Sequence, residues 1–271
     1  MKTRTYSFVN QKGGVGKTTT AISLAAYLAQ AGQRVLLVDI DPQANATACL
    51  GVDHRALERD IYAGLIKQAA ATEIILRSPR LGLSLLPASA ALAGAQIELV
   101  DMPEREQLLR QLLEPLDGRY DYILVDCPPS LGLLTLNGLL AAIDGVIIPV
   151  QCEYLALEGL TQLMQTLQRV RAGLFPELDI RGLVMTMFDA RTNLAQDVVA
   201  EVRSHFPGQV FQTIIPRSVR LAEAPSHGLP ISVYAPHSSA GTAYAALTRE
   251  LLAGDGISLI PGTLEGEVVH D

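Results

Sequence analysis

The sequence predicts an α/β protein in which a doubly wound, mostly parallel sheet is flanked by helices on both faces. Two observations lead to this prediction. Short runs that are apolar at nearly every position alternate with longer segments that repeat apolar residues at helical spacing. A glycine-rich loop also joins the first strand-like run to the first helical segment, which is the context of a phosphate-binding loop.

The predicted strands are short and apolar on consecutive residues, as expected for parallel strands that are buried on both faces. In chain order they are TYSFVN, RVLLVD, LSLLP, YDYILVD, GVIIPV, IRGLVMT and VFQTIIP. The predicted helices place leucine and alanine at i, i+3 and i+4 and end near glycine. They are GKTTTAISLAAYLAQAG, PEREQLLRQLLEPL, ALEGLTQLMQTLQRVRAGL and AGTAYAALTRELLAG.

The chain has 271 residues, and no proline- or serine-rich linker or internal repeat divides it. We therefore expect a single domain over residues 1–253. Residues 254–271 are rich in glycine and acidic residues, and we expect them to form a flexible C-terminal tail.

Composition indicates the compartment and restricts the partners. The net charge of −7 argues against a protein covered in basic residues, so any contact with nucleic acid needs a local patch. The three cysteines lack metal-type spacing and indicate a reducing compartment. The N-terminus shows no signal-peptide pattern, and no apolar run approaches the roughly 18 residues of a membrane span. We expect a soluble, cytoplasmic protein.

The stretch NQKGGVGKTTT, residues 10–20, predicts a site for nucleotide phosphates and Mg²⁺. Its glycines allow backbone N–H groups to converge on phosphate oxygens at the positive end of a helix. Lys17 would reach the β- and γ-phosphates, the Thr18 hydroxyl would bind Mg²⁺, and Thr19 could touch the α-phosphate. The residues predicted to contact nucleotide are Lys12, Gly13, Gly14, Val15, Gly16, Lys17, Thr18 and Thr19.

A second lysine, Lys12, distinguishes this loop from the usual pattern, because Gln11 stands where the first glycine is expected. A positive charge so close to Lys17 costs repulsion unless an anion lies between them. The alternative is a lysine of a solvated loop with no special role.

Aspartates follow two of the predicted strands. VLLVDIDP brings Asp39 and Asp41 to a strand end, and YILVDCPPS does the same for Asp126. Ligands of open α/β sheets bind at this edge, where an aspartate commonly holds Mg²⁺ through water. An isolated aspartate there could equally cap a helix, but the phosphate loop on the same chain favours the metal site. Pro128 and Pro129 would stiffen the segment after Asp126.

Taken together, KGGVGKTTT, VLLVDIDPQANAT, VDCPPSLG, PVQCEYLALEGL and IIPRSVRLAEAPSHGLPI resemble the ParA/Soj-type partition ATPases. These belong to the deviant Walker A group of P-loop ATPases, which also contains MinD. The resemblance runs from about residue 3 to residue 252. It implies slow hydrolysis of ATP with Mg²⁺, stimulation by a partner, and an ATP-dependent sandwich homodimer.

The resemblance also implies roles for individual residues. Lys12 would reach the nucleotide of the partner subunit, supplying the charge that an arginine finger supplies elsewhere. Asp41 would position or activate the attacking water. Asp126 would mark the second switch, a segment that senses the γ-phosphate. The residues implied in hydrolysis are Lys12, Lys17, Asp41 and Asp126. Those at Mg²⁺ are Thr18 and Asp126, and Asp39 would support either Mg²⁺ or Lys12. Pro216 would contact the base together with Ser218, where the family pattern leads us to expect asparagine.

For partners, the resemblance implies a ParB/Spo0J-like centromere-binding protein and non-specific double-stranded DNA, with the protein associated with the nucleoid. The candidate DNA contacts are Arg191, Arg203, Arg217 and Arg220. Each arginine taken singly could instead be solvated or ion-paired. Closely similar ATPases position protein assemblies, so the cargo stays open between chromosome, plasmid and protein.

Other members of the wider group serve as alternatives. A MinD-like ATPase needs a basic amphipathic helix at the C-terminus, whereas no lysine or arginine follows Arg249 here, so we expect no membrane partner. A nitrogenase-reductase-like protein needs a cluster cysteine several residues beyond Cys127, and none stands there, so Cys49 and Cys127 are expected to be plain buried thiols. A biosynthetic enzyme such as dethiobiotin synthetase would need a small-substrate pocket, for which the sequence gives no sign.

Overall fold

The computed structural model describes residues 2–259 and Leu264, and in this part of the chain eight strands form a single sheet. The strands are β1 Arg4–Phe8, β2 Val35–Asp39, β3 Leu76–Ser78, β4 Leu83–Leu86, β5 Tyr122–Asp126, β6 Val146–Gln151, β7 Ile180–Phe188 and β8 Val210–Pro216. Their order across the sheet is β3-β4-β2-β5-β1-β6-β7-β8. The strands from β4 to β8 in this order pair in parallel, whereas β3 pairs antiparallel with β4.

Helices connect the strands on both faces. They are α1 Lys17–Gln30, α2 Asn45–Cys49, α3 Ile61–Leu65, α4 Ala71–Ile74, α5 Leu92–Glu98, α6 Leu108–Leu113, α7 Leu133–Ala141, α8 Ala156–Gly173, α9 Asn193–His205, α10 Val219–Glu223, α11 Ile231–Tyr234 and α12 Ser239–Gly254. Short 3₁₀ turns span Leu99–Asp101, Glu114–Leu116 and Ala224–His227.

The predicted fold class is confirmed, and each predicted strand corresponds to a strand whose ends differ by one or two residues. The sequence missed β3, which is three residues long and mostly exposed, so it carries no buried apolar run. It also missed α7, because LLTLNGLLA is apolar on almost every side and shows no helical period. The segment predicted as a helix from residue 103 becomes helical only at Leu108.

Two apolar cores lie on opposite faces of the sheet. On β2, Val35 and Leu37 point into the core that α1 and α12 cover, whereas Leu36 and Val38 point into the core covered by α3 to α9. This alternation follows from the period of two in a strand and explains why both kinds of position are apolar. The central strands are thereby fixed in register, and with them the positions of the residues at their ends.

The C-terminal part of the described chain is anchored beyond the predicted domain end at residue 253. Helix α12 continues to Gly254, and the Asp255 carboxylate accepts hydrogen bonds from the Tyr6 and Tyr122 hydroxyls at 2.8 Å each. Arg181 donates to the same carboxylate at 3.1 Å, and the Asp255 side chain is only 4% exposed. Most of the predicted tail, residues 260–263 and 265–271, lies outside the described residues.

Candidate functional site

The carboxyl ends of the neighbouring strands β1, β2 and β5 lie side by side and carry the predicted site. We refer to the side of the sheet where the parallel strands end as its carboxyl edge. Asp126 is the register partner of Phe8 on one side and of Asp39 on the other. The glycine-rich loop starts directly after Phe8 and leads into α1 at Lys17. The structure therefore brings the loop and the strand-end aspartates together, as the sequence predicted.

The loop has the backbone geometry of an anion cradle. Gly14 and Gly16 adopt positive φ angles of 76° and 89°, which residues with a Cβ atom rarely tolerate. Gly16 also lies directly before the first turn of α1, so the unpaired N–H groups and the positive dipole end of this helix face the loop.

The side chains of Thr186 on β7 and of Asn10 after β1, together with a carbonyl of β6, hold the loop in place. The Thr186 hydroxyl donates to the Val15 carbonyl at 2.9 Å. The Asn10 amide donates to the Pro149 carbonyl at 2.7 Å and accepts the Lys12 N–H at 3.0 Å. These bonds, two of which are buried, hold the loop in this conformation, which lowers the cost of ordering it on binding.

The two lysines of the loop have separate partners. The Lys17 side chain is buried, and its ammonium group donates to the Lys12 carbonyl at 3.2 Å. Burial lowers the pKa of Lys17, and the charges of Asp126 and Asp41 oppose that change. The Lys12 side chain is 42% exposed and forms an ion pair with Glu153, which lies beyond the end of β6.

Asp126 has the environment expected of a cation ligand. Its residue is fully buried, and neither carboxylate oxygen accepts a hydrogen bond within the described residues. Burial raises its pKa well above the usual range, Asp39 adds to this increase, and Thr18 and Lys17 oppose it. A buried carboxylate with free lone pairs is costly unless a cation or a proton compensates it.

Asp39 has a different environment although it is equally buried. One of its oxygens accepts the Asp41 N–H at 3.1 Å, and the other accepts the N–H and hydroxyl of Thr47 at 2.8 Å each. Burial raises the pKa of Asp39 to about 6, while these hydrogen bonds oppose that rise. With three donors already in place, Asp39 is built to orient the segment after β2, so the geometry favours this role over the Mg²⁺ support that the sequence suggested.

Asp41 is held on a tight turn that follows β2. Its carboxylate accepts the Gln43 N–H at 2.9 Å, and its carbonyl accepts the Ala44 N–H at 2.8 Å. Ala44 has a φ of 51°, a left-handed conformation that costs a non-glycine residue roughly 1 kcal/mol or more. Such strain is common where a functional side chain must be aimed, and here it turns the chain so that Asp41 lies near Lys17.

The donor set fits a magnesium nucleotide. Asp126 offers two free oxygens, and Thr18 lies beside it at the start of α1. Within the described residues no group of three or more histidine, cysteine and acidic side chains forms a dedicated metal cage. This agrees with Mg²⁺, which keeps several waters and is held by one or two protein oxygens together with phosphates.

The predicted base contacts lie farther along the same edge. Pro216 is the last residue of β8, and Ser218 precedes α10. Because β8 is the third strand beyond β1 in the sheet, these residues lie roughly 14 Å from the loop strand, at a spacing of about 4.8 Å per strand. The Ser218 side chain caps no N–H group of α10.

The structure separates the four predicted DNA arginines into two places. Arg191, Arg217 and Arg220 follow the carboxyl ends of β7 and β8, whereas Arg203 lies in the last turn of α9, towards the opposite edge. Arg203 bonds to the Gln212 carbonyl at 3.0 Å, in the first half of β8, and so does not join the others.

Two of the remaining three arginines are ion-paired within the chain. Arg191 forms a two-pronged pair with Asp189, which lowers the pKa of that carboxyl to about 2. Arg220 pairs with Glu223 at 3.0 Å. Arg217 shows no ion pair within the described residues. The arginine cluster is therefore weaker as a basic patch than the sequence alone suggests.

Three residues of the site escaped the sequence interpretation. Asn10 and Thr186 act on the loop through hydrogen bonds, and Glu153 pairs with Lys12. Asn10 stands directly before the loop and could have been noticed there. Thr186 and Glu153 are far away in sequence, and only the parallel pairing of β6 and β7 beside β1 brings them close.

Of the two cysteines expected to be buried, Cys127 is buried and Cys49 is only partly so. Cys127 is buried, and burial raises its thiol pKa; the pKa values of Cys49 and Cys152 are raised to about 11 for the same reason. All three are free. In the described part of the chain, no helix is long and apolar enough to cross a membrane.

Comparison with known proteins identifies the family. Residues 3–180 match a family model described as an AAA domain. The chain is 53% identical over 253 residues to the chromosome-partitioning ATPase Soj of Treponema pallidum, with 93% of this chain and 98% of the relative covered. It is 51% identical over 247 residues to the sporulation initiation inhibitor protein Soj of Bacillus subtilis, with 91% and 97% covered.

A solved structure supports both the fold and the type of ligand. It is described as cobyrinic acid a,c-diamide synthase from Mycobacterium smegmatis with bound ATP analog and magnesium. It aligns with a TM-score of 0.81 at 37% identity and covers 95% of this chain and 99% of that chain. The loop, the strand-end aspartates and these relatives lead to one conclusion: the chain belongs to the Soj/ParA family of chromosome-partitioning ATPases.

Proposed function

We propose that this protein is an ATPase that dimerises on Mg²⁺-ATP, binds duplex DNA without sequence preference, and segregates chromosome or plasmid DNA with a ParB-type partner. The ATPase part of this proposal depends most on the environment of Asp126. It is a buried carboxylate whose oxygens accept no hydrogen bond in the described chain, it lies beside Thr18, and it faces the loop that holds Lys17.

The residues of the loop supply binding and charge. The N–H groups of residues 13–19 would bind the phosphates, and Lys17 would neutralise the terminal ones. Thr18 and Asp126 would hold Mg²⁺, which neutralises developing charge on the phosphates. Asp41 would orient the attacking water, because it is nearly buried and fixed by its turn beside Lys17. The positive φ of Ala44 keeps that turn in place.

The same edge of the sheet carries features of a subunit interface. Tyr154 and Leu155 follow β6, Leu194 follows β7 and Val219 follows β8, and their exposed fractions are 82%, 52%, 48% and 72%. Exposed apolar residues around a charged site are typical of a surface that associates. A dimer formed through this edge would place Lys12 of each subunit at the phosphates bound by the other, and would exclude water from both sites.

The DNA surface is proposed on Arg191, Arg217 and Arg220, with Arg203 set aside because it lies elsewhere. One subunit offers a modest patch on a chain of net charge −7, so a monomer should bind duplex poorly. Dimerisation doubles the number of phosphate contacts, and the logarithm of affinity scales with that number. Nucleotide would therefore control DNA binding through the dimer, and the protein would be associated with the nucleoid in the cytoplasm.

The proposal also includes a stimulating partner and a DNA cargo. A ParB/Spo0J-like protein would trigger hydrolysis on the dimer, releasing monomers from DNA. A protein cargo is the alternative, and so is the biosynthetic activity that the description of the Mycobacterium smegmatis structure gives to that protein. The partition proposal is favoured because the Soj relatives are more than 50% identical over nearly the whole chain.

The test combines nucleotide state with DNA retention. The full chain would be incubated with Mg²⁺ and ATPγS, with ADP, or without nucleotide, and passed over immobilised duplexes of unrelated sequence. Retention of a dimer with ATPγS alone, on every duplex, is the expected result. An ATPγS-bound dimer that DNA does not retain would exclude the DNA role and favour positioning of a protein cargo.

A further inference from the structure

The additional lysine of the loop, Lys12, has a charged partner within its own subunit. The Lys12 ammonium group pairs with the Glu153 carboxylate of the same subunit. The contacting oxygen, Oε1, is buried and accepts no hydrogen bond from another described residue. The side chains are 42% and 32% exposed, so the pair lies at the mouth of the site rather than in the core.

This pair gives the two lysines of the loop separate counter-charges. Lys17 has the charges of Asp126 and Asp41 nearby, whereas Lys12 has Glu153. Each ammonium group therefore has its own counter-charge, which offsets their mutual repulsion. Carboxylates of the same chain therefore offset the repulsion that the sequence predicts for the two lysines.

Glu153 is held in position by the strand that also holds the loop. The Thr186 carbonyl accepts the Cys152 N–H at 3.0 Å, and the Thr186 hydroxyl donates to Val15 at 2.9 Å. Glu153 also starts the turn into α8, because its carbonyl accepts the Ala156 N–H at 3.0 Å. One residue of β7 thus fastens both the loop and the segment that carries Glu153.

We propose that Glu153 is a positioning residue that keeps Lys12 within its own subunit until a second subunit presents bound phosphate. Glu153 thereby sets how readily the nucleotide-bound chain dimerises. On dimerisation, Lys12 would exchange the Glu153 carboxylate for the more highly charged phosphate bound by the second subunit. The ion pair within the subunit would then be lost. This inference depends on the proposed function, since it requires Lys12 to act across the dimer.

The expected size of the effect follows from the exposure of the pair. A partly exposed ion pair changes an equilibrium by about two- to fivefold. Each dimer breaks two such pairs, so Glu153→Gln should lower the dimer dissociation constant by about 4- to 25-fold. The gain should shrink at high salt, because salt screens the pair that the wild type must break.

The experiment measures the monomer–dimer constant by sedimentation at saturating Mg²⁺ and ATPγS, at about 0.05 and 0.5 M salt. Glu158→Gln is the matched control, because it removes the same charge from an exposed position in the first turn of α8. Glu153→Asp keeps the charge and should remain nearer to the wild type. In the Lys12→Gln background dimerisation should be lost, and Glu153→Gln should not restore it.

Several results would overturn the inference. Weaker dimerisation of Glu153→Gln would mean that Glu153 supports the dimer instead of restraining it. Equal behaviour of Glu153→Gln and Glu158→Gln, or an effect that persists without Lys12, would remove the link to the lysine. If Glu153→Gln fails to fold, Glu153→Ala takes its place, and a dimer dissociation constant of that variant equal to the wild-type value contradicts the inference. Wild-type dimerisation by Lys12→Gln itself would instead refute the trans role on which the inference depends.

Discussion

Asp39 and Asp126 are register partners at the ends of β2 and β5, and both carboxyl groups are fully buried. They differ in what surrounds them, since Asp39 accepts three hydrogen bonds and Asp126 accepts none within the described chain. One aspartate is therefore committed to structure, and the other is available to a cation. The two adjacent carboxylates therefore have different roles, and neither can replace the other.

The first prediction concerns stability without nucleotide. Because Asp126 is an uncompensated buried carboxylate, Asp126→Asn should stabilise the nucleotide-free protein at pH 7 by about 1–3 kcal/mol while weakening Mg²⁺-dependent nucleotide binding. Asp39→Asn should destabilise it, since in either orientation the amide N–H₂ group would face a donor, Thr47 on one side or the Asp41 N–H on the other. Urea unfolding of both variants checks this. A less stable Asp126→Asn protein would contradict the assignment.

The pH dependence has a defined sign. The pKa values of Asp39 and Asp126 are raised in the folded protein, Asp39 from 3.8 to about 6, so the native state binds more protons than the unfolded state. The stabilising contribution of Asp39 is complete below about pH 4 and is lost as pH rises through about 6, and the contribution of Asp126 changes in the same direction. The advantage of Asp126→Asn over the wild type should therefore grow between pH 4.5 and 7.5.

The second prediction concerns Asp41. Asp41→Ala should bind ATP and dimerise, but its turnover should fall about 10²-fold or more, because the attacking water loses its orienting carboxylate. Gel filtration with ATP should show a persistent dimer where the wild type returns to monomer. Normal turnover by Asp41→Ala would remove it from the reaction.

The third prediction concerns Thr186. Thr186→Val keeps the shape of this buried side chain but leaves the Val15 carbonyl without its donor. We expect a loss of about 1 kcal/mol in nucleotide affinity, which corresponds to about fivefold, because the loop must then be ordered on binding. Calorimetric titration with ADP and Mg²⁺ measures it. Unchanged affinity in a folded variant would show that the loop does not depend on this bond.

The fourth prediction concerns DNA. Three arginines per subunit give about six phosphate contacts in a dimer and a log–log salt slope near −5. Arg220→Ala should flatten that slope by nearly two units, because each charge occurs twice. Arg203→Ala is the matched control and should leave the slope unchanged, since Arg203 lies near the other edge. Equal effects of both substitutions would place the DNA surface elsewhere.

The sequence predicted the fold and the centre of the site because both depend on local patterns. Buried strands appear as apolar runs, and the residues after β1, β2 and β5 are brought together by parallel pairing alone. It did not predict Thr186 or Glu153, whose effect on the loop depends on the order of strands across the sheet. The sequence also grouped Arg203 with the other three arginines. Spacing along the chain does not show that the last turn of α9 lies near the start of β8, away from the strand ends that precede the other arginines.

The most direct test of the account is a comparison of Lys12→Ala with Lys17→Ala. Monomer affinity for nucleotide would be measured by titration with ADP, and dimerisation by sedimentation with ATPγS and Mg²⁺. Lys17→Ala should lose nucleotide affinity in the monomer, because its ammonium group lies in its own loop. Lys12→Ala should keep most of that affinity and fail to dimerise. An equal loss of monomer affinity in both variants, or a normal dimer without Lys12, would contradict the claim that Lys12 acts on the nucleotide of the other subunit.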